Sequence, residues 1–475
     1  MSPGESDPRT PLPRILQVVG LMGIFVSLGY LTLRGLSLEE LLLPLTALGL
    51  PIYLVVLVDP ILGLAILIAS IGLSPAFSLA GIRDLRAEDF LLPGLLLGWL
   101  MRAGKERNPM LSGPLWTPAV ITFFLMTIAT FAGKRGGGVS PMMPYLIMGK
   151  YAEYLVIYLV VLNTCRSPGE VRALAMFSIL VALAASLMSL SGSASVVVDA
   201  SGNRLLGPTG ETANIYGAYL GLHLLLALGI FLHTTSPGAR LAWGTIVAVL
   251  GFAILFTYSR ATYVAVAGAM VLFGVLKYRR LLIILALLAA VIPFLAPAAI
   301  LDRIQTVGGV ALGATPGSWT ARLEAWDWAI GRMSPADWVF GRGIGSVAFG
   351  DVDSEYVLVF SNLGIVGIAL FAWVLFRIGR LANRTYEALE HDTFPKGYLA
   401  GFLMAFALMM IHAVAATTFS AIRTEEAFMV LTGLMTVIAL RQDEFVPVAE
   451  PGRPVVLLRD ASVLGPGHQA LGTRP

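Results

Sequence analysis

Residues 281–295 read LLIILALLAAVIPFL, a run without any charged or hydrogen-bonding side chain. It is apolar on every side, so it lacks both the alternation of a half-exposed strand and the polar face of a surface helix. Inside a bilayer, only a helix or a closed barrel satisfies every backbone hydrogen bond. Because the alternation typical of a barrel strand is absent, we predict that this segment is a membrane-spanning helix.

The rest of the chain has the same character. Hydrophobic residues make up 57% of the 475 residues and charged residues only 13%, which is more apolar surface than one soluble core buries. The sequence therefore predicts an all-α, polytopic integral membrane helical bundle. Since a crossing takes about 20 apolar residues, we expect about 12–14 transmembrane helices, the lower number applying if the short pieces before Met101 form a re-entrant pair. The predicted segments are 15–33, 41–58, 61–79, 90–101, 115–132, 142–162, 171–190, 213–232, 241–258, 261–276, 281–300, 355–376, 397–419 and 427–440.

Basic residues in the short connections predict the orientation. Lysine and arginine are enriched in cytoplasmic loops, and they cluster on four alternate connections, at residues 102–107, 166–172, 277–280 and 377–396. This pattern predicts a cytoplasmic N-terminal tail at residues 1–14, a membrane domain at residues 15–440, and a cytoplasmic C-terminal tail at residues 441–475. The last segment is rich in Pro and Gly, and we expect it to be disordered.

The same orientation puts four polar elements on the outer, periplasmic face. They are residues 195–212, the 259–260 corner, residues 420–426 and the large loop 301–354, which is the longest break between apolar runs. Within that loop, residues 318–333 read SWTARLEAWDWAIGRM, a pattern that predicts an amphipathic helix lying in the membrane interface. The alternative is a lid helix that only seals the bundle. We expect the four elements to form one catalytic site.

Two residue types on these elements indicate a chemistry. Arginines occur there rather than lysines, among them Arg204, Arg260, Arg322 and Arg342, and the planar guanidinium binds phosphate oxygens in a bidentate fork. Snorkelling to lipid headgroups is the alternative reading of Arg260. Carboxylates occur at Asp351, Asp353 and Glu355, where compensation of a helix dipole is the alternative. The turn GRGIG, residues 341–345, has three glycines that allow a ligand to approach the backbone closely.

Arginines and a carboxylate at a membrane face suit a glycan carried on a polyprenyl diphosphate. The diphosphate of such a lipid lies at headgroup depth and its tail lies in hydrocarbon. Arginine would neutralise the charge that grows as the sugar–phosphate bond breaks, and a carboxylate would take the proton of the acceptor hydroxyl. This chemistry needs no metal if arginine replaces it, so we expect no cofactor, and we expect no nucleic-acid partner.

Five stretches resemble the O-antigen ligase and O-antigen polymerase superfamily. They are RLLGPTGETAN (204–214), SRA (259–261), the R-L-x-x-W start of the loop helix (322–326), GRGIG (341–345) and DSEYVLVFSNLGIVGIALF (353–371). The resemblance implies a protein of the bacterial cytoplasmic (inner) membrane that transfers a glycan from undecaprenyl diphosphate to a sugar hydroxyl at the periplasmic face, with inversion at the anomeric carbon.

The resemblance also implies roles for single residues. Ligase-type members carry a histidine eleven residues before the first glycine of a G-x-x-G pair; here Gly364 and Gly367 match the pair, but the earlier position holds Asp353. This difference favours an O-antigen or exopolysaccharide repeat-unit polymerase. The resemblance implies that Arg260 and Arg322 bind the diphosphate, that Arg322 is also catalytic, and that Asp353 is the base. The residue pattern adds Arg204 and Arg342 as diphosphate ligands and Glu355 as the second candidate base. The expected substrate contacts are Asn214, Gly343, Gly345 and Tyr356.

Two other functions stay open. One is ligation of the glycan to lipid A core or another acceptor. The other is transport or flipping of lipid-linked oligosaccharides, which would favour an inverted repeat and charges near the bilayer midplane. Beside the donor, the expected partners are a lipid- or sugar-linked acceptor, membrane lipids and a chain-length regulator protein. Of the polar residues inside the predicted spans, His223 and His412 are expected to bond between helices or to line a groove. Lys150 is expected to pair with Glu153, and the alternative is that this charge marks a pathway.

Overall fold

The computed structural model describes residues 52–74, 77–79, 82–106, 113–132, 143–192, 196–199, 202–208, 210–295, 301, 305, 317–347, 351–390 and 393–445. Segment 15–33, most of segment 41–58, the N-terminal tail and nearly all of the C-terminal tail lie outside the described residues, as do the parts of the large loop at 302–304 and 306–316.

The described chain is almost entirely helical. After a helical segment at residues 52–58, the helices are α1 (Pro60–Leu73), α2 (Ala87–Glu106), α3 (Trp116–Ala132), α4 (Met143–Thr164), α5 (Pro168–Leu190), α6 (Ala213–Leu232), α7 (Pro237–Phe256), α8 (Arg260–Leu276), α9 (Arg280–Leu295), α10 (Gly317–Gly331), α11 (Pro335–Phe340), α12 (Glu355–Ala388), α13 (Phe394–His412), α14 (Ile422–Leu440) and α15 (Gln442–Phe445). Among these, α4, α5, α6, α7, α12 and α13 are long and apolar enough to cross a membrane, and α1, α3, α8 and α9 are shorter apolar helices. The prediction of an all-α polytopic membrane protein is confirmed.

Most predicted spans coincide with helices, and α6 has the predicted bounds. Two ends differ. Helix α12 continues to Ala388 rather than ending at residue 376, because its last turns leave the apolar layer and remain helical on polar residues, with Glu387 paired to Lys277. Helix α13 ends at His412 rather than residue 419, because the chain turns back there and Ser420 bonds to the first residue of α12.

Helices α6 and α13 form the centre of the bundle. They touch through glycines, and a Cβ added at Gly401 would lie 2.6 Å from the Cα of Leu226. Small residues that let helix backbones approach are the usual means of packing in membranes, where lipid is as apolar as the side chains. Helix α8 packs along α13, so the α7–α8 corner lies against the C-terminal end of α13.

Two short antiparallel hairpins were not predicted. Strands β1 (Phe77–Leu79) and β2 (Ile82–Leu85) form the first, and β3 (Val196–Asp199) and β4 (Gly202–Leu205) form the second. The stretch 196–205 is too short to separate from a loop by its pattern alone. The second hairpin brings Arg204 to the α7–α8 corner.

Three of the four predicted basic connections meet at one end of the bundle. Lys277 pairs with Glu387, the Nζ of Lys396 lies 4.3 Å from the ring centroid of Tyr386, and the guanidinium of Arg172 lies over Phe394. We call this the basic end, and the opposite end, where α12 begins, the site end. Which end faces the cytoplasm stays a prediction.

Candidate active site

The loop arginine and the candidate base are in contact at the site end. The Nη2 of Arg322, in the second turn of α10, lies 3.2 Å from the Oδ2 of Asp353, which lies two residues before α12. The Arg322 side chain is 17% exposed and the Asp353 side chain 51%. The Arg322 guanidinium is therefore mostly buried, whereas the Asp353 carboxylate is exposed. A substrate at this surface has access to both groups.

The α7–α8 corner is a second polar unit. Tyr258 adopts a positive φ of 51° and reverses the chain after α7. Ser259 then caps α8, since its Oγ accepts from the backbone N–H of Thr262 at 3.2 Å. Arg260 is the first residue of α8 and is half-buried. The cap therefore fixes where the Arg260 side chain leaves the helix.

Arg204 and Asn214 belong to the same unit. The Ser259 hydroxyl donates to Asn214 Oδ1 at 2.9 Å, and Arg204 Nη2 donates to the same oxygen at 3.4 Å. Arg204 Nε also donates to the Thr257 carbonyl at 3.3 Å. The amide oxygen of Asn214 thus links β4 to the corner, and its expected contact with substrate stays a prediction.

The GRGIG turn packs against α12. Gly341, Gly343 and Gly345 all have positive φ, and the backbone N–H groups of Arg342 and Gly343 donate to the carbonyls of Ser361 and Asn362, each at 3.0 Å. The receiving site is a kink in α12 at Gly364, which has φ 67° and ψ −163°. The close approach that these glycines permit is to the chain's own backbone. Ligand contacts of Gly343 and Gly345 stay predictions, as does diphosphate binding by the half-buried Arg342.

Glu355 lies in a different environment from Asp353. It is 1% exposed, and its carboxylate accepts from the Ser420 hydroxyl at 2.7 Å and from the Ser420 N–H at 3.1 Å. It lines a mainly apolar cavity of about 150 Å³ between α3, α4, α12 and α14. The next residue, Tyr356, donates its hydroxyl to the Met410 carbonyl at 2.9 Å. The open position of Asp353 beside Arg322 makes it the better placed of the two candidate bases.

The position of His412 at the site was not predicted, although its hydrogen bonding between helices was. Its Nδ1 lies 2.7 Å from Thr418 Oγ1, and its Nε2 lies 3.5 Å from Thr262 Oγ1 of α8. The next residue, Ala413, accepts at its carbonyl from the N–H of Glu355 at 2.9 Å. His412 therefore lies between the corner and the first residue of α12. The only signal in the sequence was one polar residue in an apolar run.

A buried charge network connects the other elements at this end. Arg423 of α14 pairs with Glu211 at 2.6 Å and donates to the carbonyls of Ile71 and Ser74, while Arg86 pairs with the same Glu211 carboxylate at 2.9 Å. Burial opposes the charge of Arg86, yet the carboxylates of Glu211, Glu88 and Glu426 outweigh it and raise the pKa of the guanidinium above its usual value. The network joins α14, α1 and the segments before α2 and α6.

The predicted partner of Lys150 is confirmed. Its Nζ lies 2.7 Å from Glu153 Oε2, and Asp89 of α2 is a second partner. The contact between Lys150 and Asp89 thus helps to hold α4 against α2.

Within the described ranges, no group of three or more His, Cys, Asp or Glu side chains is arranged to hold a metal ion. Metal independence of the reaction stays a prediction.

These features define a class of protein. The chain is a polytopic all-α membrane protein with arginines and a carboxylate gathered at one end of its bundle. Residues 244–372 match the family model described as O-antigen ligase, and this part of the chain carries Arg260, Arg322, Arg342, Asp353 and Glu355. The match supports the resemblance to the O-antigen ligase and polymerase superfamily that the motifs indicated. No curated protein matches the chain.

Proposed function

We propose that this O-antigen ligase/polymerase-type membrane enzyme transfers a glycan from a polyprenyl diphosphate to a sugar hydroxyl at the periplasmic face of the bacterial cytoplasmic membrane. The observation that carries the proposal is the contact of Arg322 with Asp353. The start of α12, which follows Asp353, and the corner that holds Arg204 and Arg260 both contact the C-terminal end of α13. A donor that carries a diphosphate needs the arginines, and an acceptor that carries a hydroxyl needs the carboxylate.

The reaction is a single in-line displacement. The acceptor oxygen forms a bond to the anomeric carbon, the bond from that carbon to the diphosphate oxygen breaks, and the polyprenyl diphosphate leaves with the electron pair. The acceptor proton goes to the Asp353 carboxylate. Arginine neutralises charge on the leaving group, an interaction that is often the largest in catalysis. Inversion at the anomeric carbon follows from one displacement.

Repeat-unit polymerisation is the favoured reaction, because an aspartate occupies the position at which ligase-type members carry histidine. Ligation to lipid A core or another acceptor is the second candidate. A transporter or flippase for the same lipids is the third, and the gathering of arginines at one end of the bundle speaks against it.

Reconstitution separates these functions. The purified protein is placed in proteoliposomes with a purified lipid-linked repeat unit and no other protein. The proposal predicts that longer glycans form and that free polyprenyl diphosphate is released, and the chemical identity of the product's reducing end distinguishes polymerisation from ligation. Movement of intact donor across the bilayer without any new glycosidic bond would show a transporter instead.

A further inference from the structure

A chain of hydrogen bonds crosses the candidate site from α13 to β4. It runs from Thr418 through His412, Thr262 and Ser259 to Asn214, where Arg204 ends it. His412 and Thr418 are each 1% exposed, and Thr262 and Ser259 are fully buried. Buried polar groups in such a chain are held tightly, since leaving any one unpaired costs more than its bond contributes.

The direction of the chain can be worked out from its far end. The Asn214 oxygen accepts from Arg204 Nη2, so it can only accept from Ser259, at 2.9 Å. Having donated its one hydrogen there, Ser259 must accept from Thr262, at 2.8 Å. Thr262 in turn must accept from His412 Nε2. The imidazole therefore carries its proton on Nε2.

The other ring nitrogen fits this assignment. Nδ1 then accepts, and Thr418 Oγ1 lies 2.7 Å from it but 3.5 Å from the Ala416 carbonyl, so the Thr418 hydrogen goes to the imidazole. Both nitrogens are occupied by protein, so His412 cannot act as the base that the missing loop histidine would have been.

We propose that His412 is a positioning residue that, through Thr262 and Ser259, holds Arg204 and the N-terminus of α8 with Arg260 in the arrangement that binds the donor's diphosphate. The inference rests on the proposed function. It assigns to α13 a part in donor binding, although α13 lies outside the family match at residues 244–372. The donor hydrogen on Nε2 is the feature that the role requires.

Substitutions can separate positioning from mere packing. His412→Gln keeps an amide N–H near the Nε2 position, whereas His412→Asn is one carbon shorter and keeps a polar group only on the Thr418 side. Thr262→Val removes the hydroxyl in the middle of the chain with little change of shape. His223 of α6 gives the matched control: it is also fully buried, with one nitrogen 2.8 Å from Ser178 Oγ and the other 2.8 Å from the Tyr219 carbonyl.

The experiment measures the Kd of each detergent-solubilised variant for undecaprenyl diphosphate without glycan, and its melting temperature. We expect His412→Asn, Thr262→Val and Ser259→Ala each to weaken binding about tenfold, roughly the effect of one lost hydrogen bond, and His412→Gln to weaken it about threefold or less. The double variant His412→Asn/Ser259→Ala should bind no more weakly than whichever single variant binds more weakly, because both substitutions break the same hydrogen-bond chain. His223→Asn should lower the melting temperature without changing the Kd.

Each other outcome overturns the inference. Three outcomes would show that His412 only packs. They are losses of affinity that multiply in the double variant, an unchanged Kd in Thr262→Val, and an equal loss of affinity in His223→Asn. If His412→Asn does not fold, the Thr262→Val and His412→Gln results decide. Wild-type protein that does not bind the lipid diphosphate would reject the inference together with the proposed function, whereas coupled binding without glycan transfer in proteoliposomes would reject the proposed function alone.

Discussion

Arg322 and Asp353 lie 3.2 Å apart at the site end, and substitution of the arginine tests what it supplies. A lysine keeps the charge but not the planar fork that binds two phosphate oxygens. We expect Arg322→Lys to lower kcat about 10²- to 10³-fold in the reconstituted transfer assay. Arg332→Lys is the control, because Arg332 directly follows the same helix and its guanidinium lies 4.1 Å from the centroid of the Trp328 ring. Full activity of Arg322→Lys would show that charge alone suffices.

Asp353 requires a separate test, since it is assigned the proton. Asparagine has nearly the same shape and cannot accept the proton, so Asp353→Asn should lower kcat about 10²- to 10⁴-fold while the Kd for the lipid diphosphate does not weaken. Asp327→Asn, at an exposed carboxylate on α10, should leave both quantities unchanged. A normal kcat in Asp353→Asn, together with a large loss in Glu355→Gln, would move the base to Glu355.

The sequence allowed candidate site residues to be predicted where they lie in a polar stretch of the chain. Arg322 and Asp353 are separated by thirty other residues, yet their types and the resemblance were enough to predict both. The hydrogen-bond partners of His412 could not be predicted, because Thr418 lies in a turn and Thr262 lies in another helix. A lone histidine in an apolar run indicates a hydrogen bond but does not identify its partner.

At the scale of elements, the GRGIG turn and the kink of α12 depend on each other. Gly364 has φ 67°, and a Cβ there would lie 2.6 Å from the backbone nitrogen of Gly341. We expect Gly364→Ala to cost at least about 1–3 kcal/mol from the backbone conformation alone and to lower both melting temperature and transfer activity. Gly331→Ala is the control, since a Cβ on Gly331 would meet nothing within 4 Å. Equal melting temperatures for the two variants would contradict this packing.

Element bounds were predictable where polarity changes sharply. Helix α6 has the bounds that its apolar run predicted, because Thr212 caps one end and a polar connection follows the other. Helix α12 was predicted to end at the membrane boundary, but a helix needs no bilayer to continue, and it runs on to Ala388. Helix α13 ends earlier than its apolar run because Ser420 bonds to Glu355, a tertiary contact that hydropathy does not contain.

At the scale of the whole molecule, the buried network around Arg423 ties the elements of the site end together. Arg423→Ala would leave Glu211 with less compensation and the carbonyls of Ile71 and Ser74 without this donor. Breaking a buried pair typically costs about 3–5 kcal/mol, so we expect a clearly lower melting temperature. Arg441→Ala, which removes a partly exposed pair with Glu444, should cost less than about 1 kcal/mol. Equal losses of melting temperature in the two variants would mean that the network adds no more to stability than a partly exposed ion pair.

Composition predicted the class of the whole molecule, since so apolar a chain has few ways to satisfy its backbone in a bilayer. It also predicted that the basic connections lie together, and three of the four do so at the basic end. Composition did not indicate the buried ion pairs of Arg86 and Arg423. Both arginines were predicted to lie in connections. Arg423 instead belongs to the first turn of α14 and Arg86 directly precedes α2, and tertiary packing buries both.

The proposed function requires that the site end faces the periplasm, where lipid-linked glycans meet their acceptors. Single cysteines at Glu324, exposed on α10, and at Glu390, exposed at the basic end, test this in a Cys165→Ala background. With a membrane-impermeant maleimide on intact spheroplasts, we predict that Glu324→Cys is labelled at once and that Glu390→Cys is labelled only after permeabilisation. The reverse pattern would put Arg322 and Asp353 in the cytoplasm and contradict the proposed function.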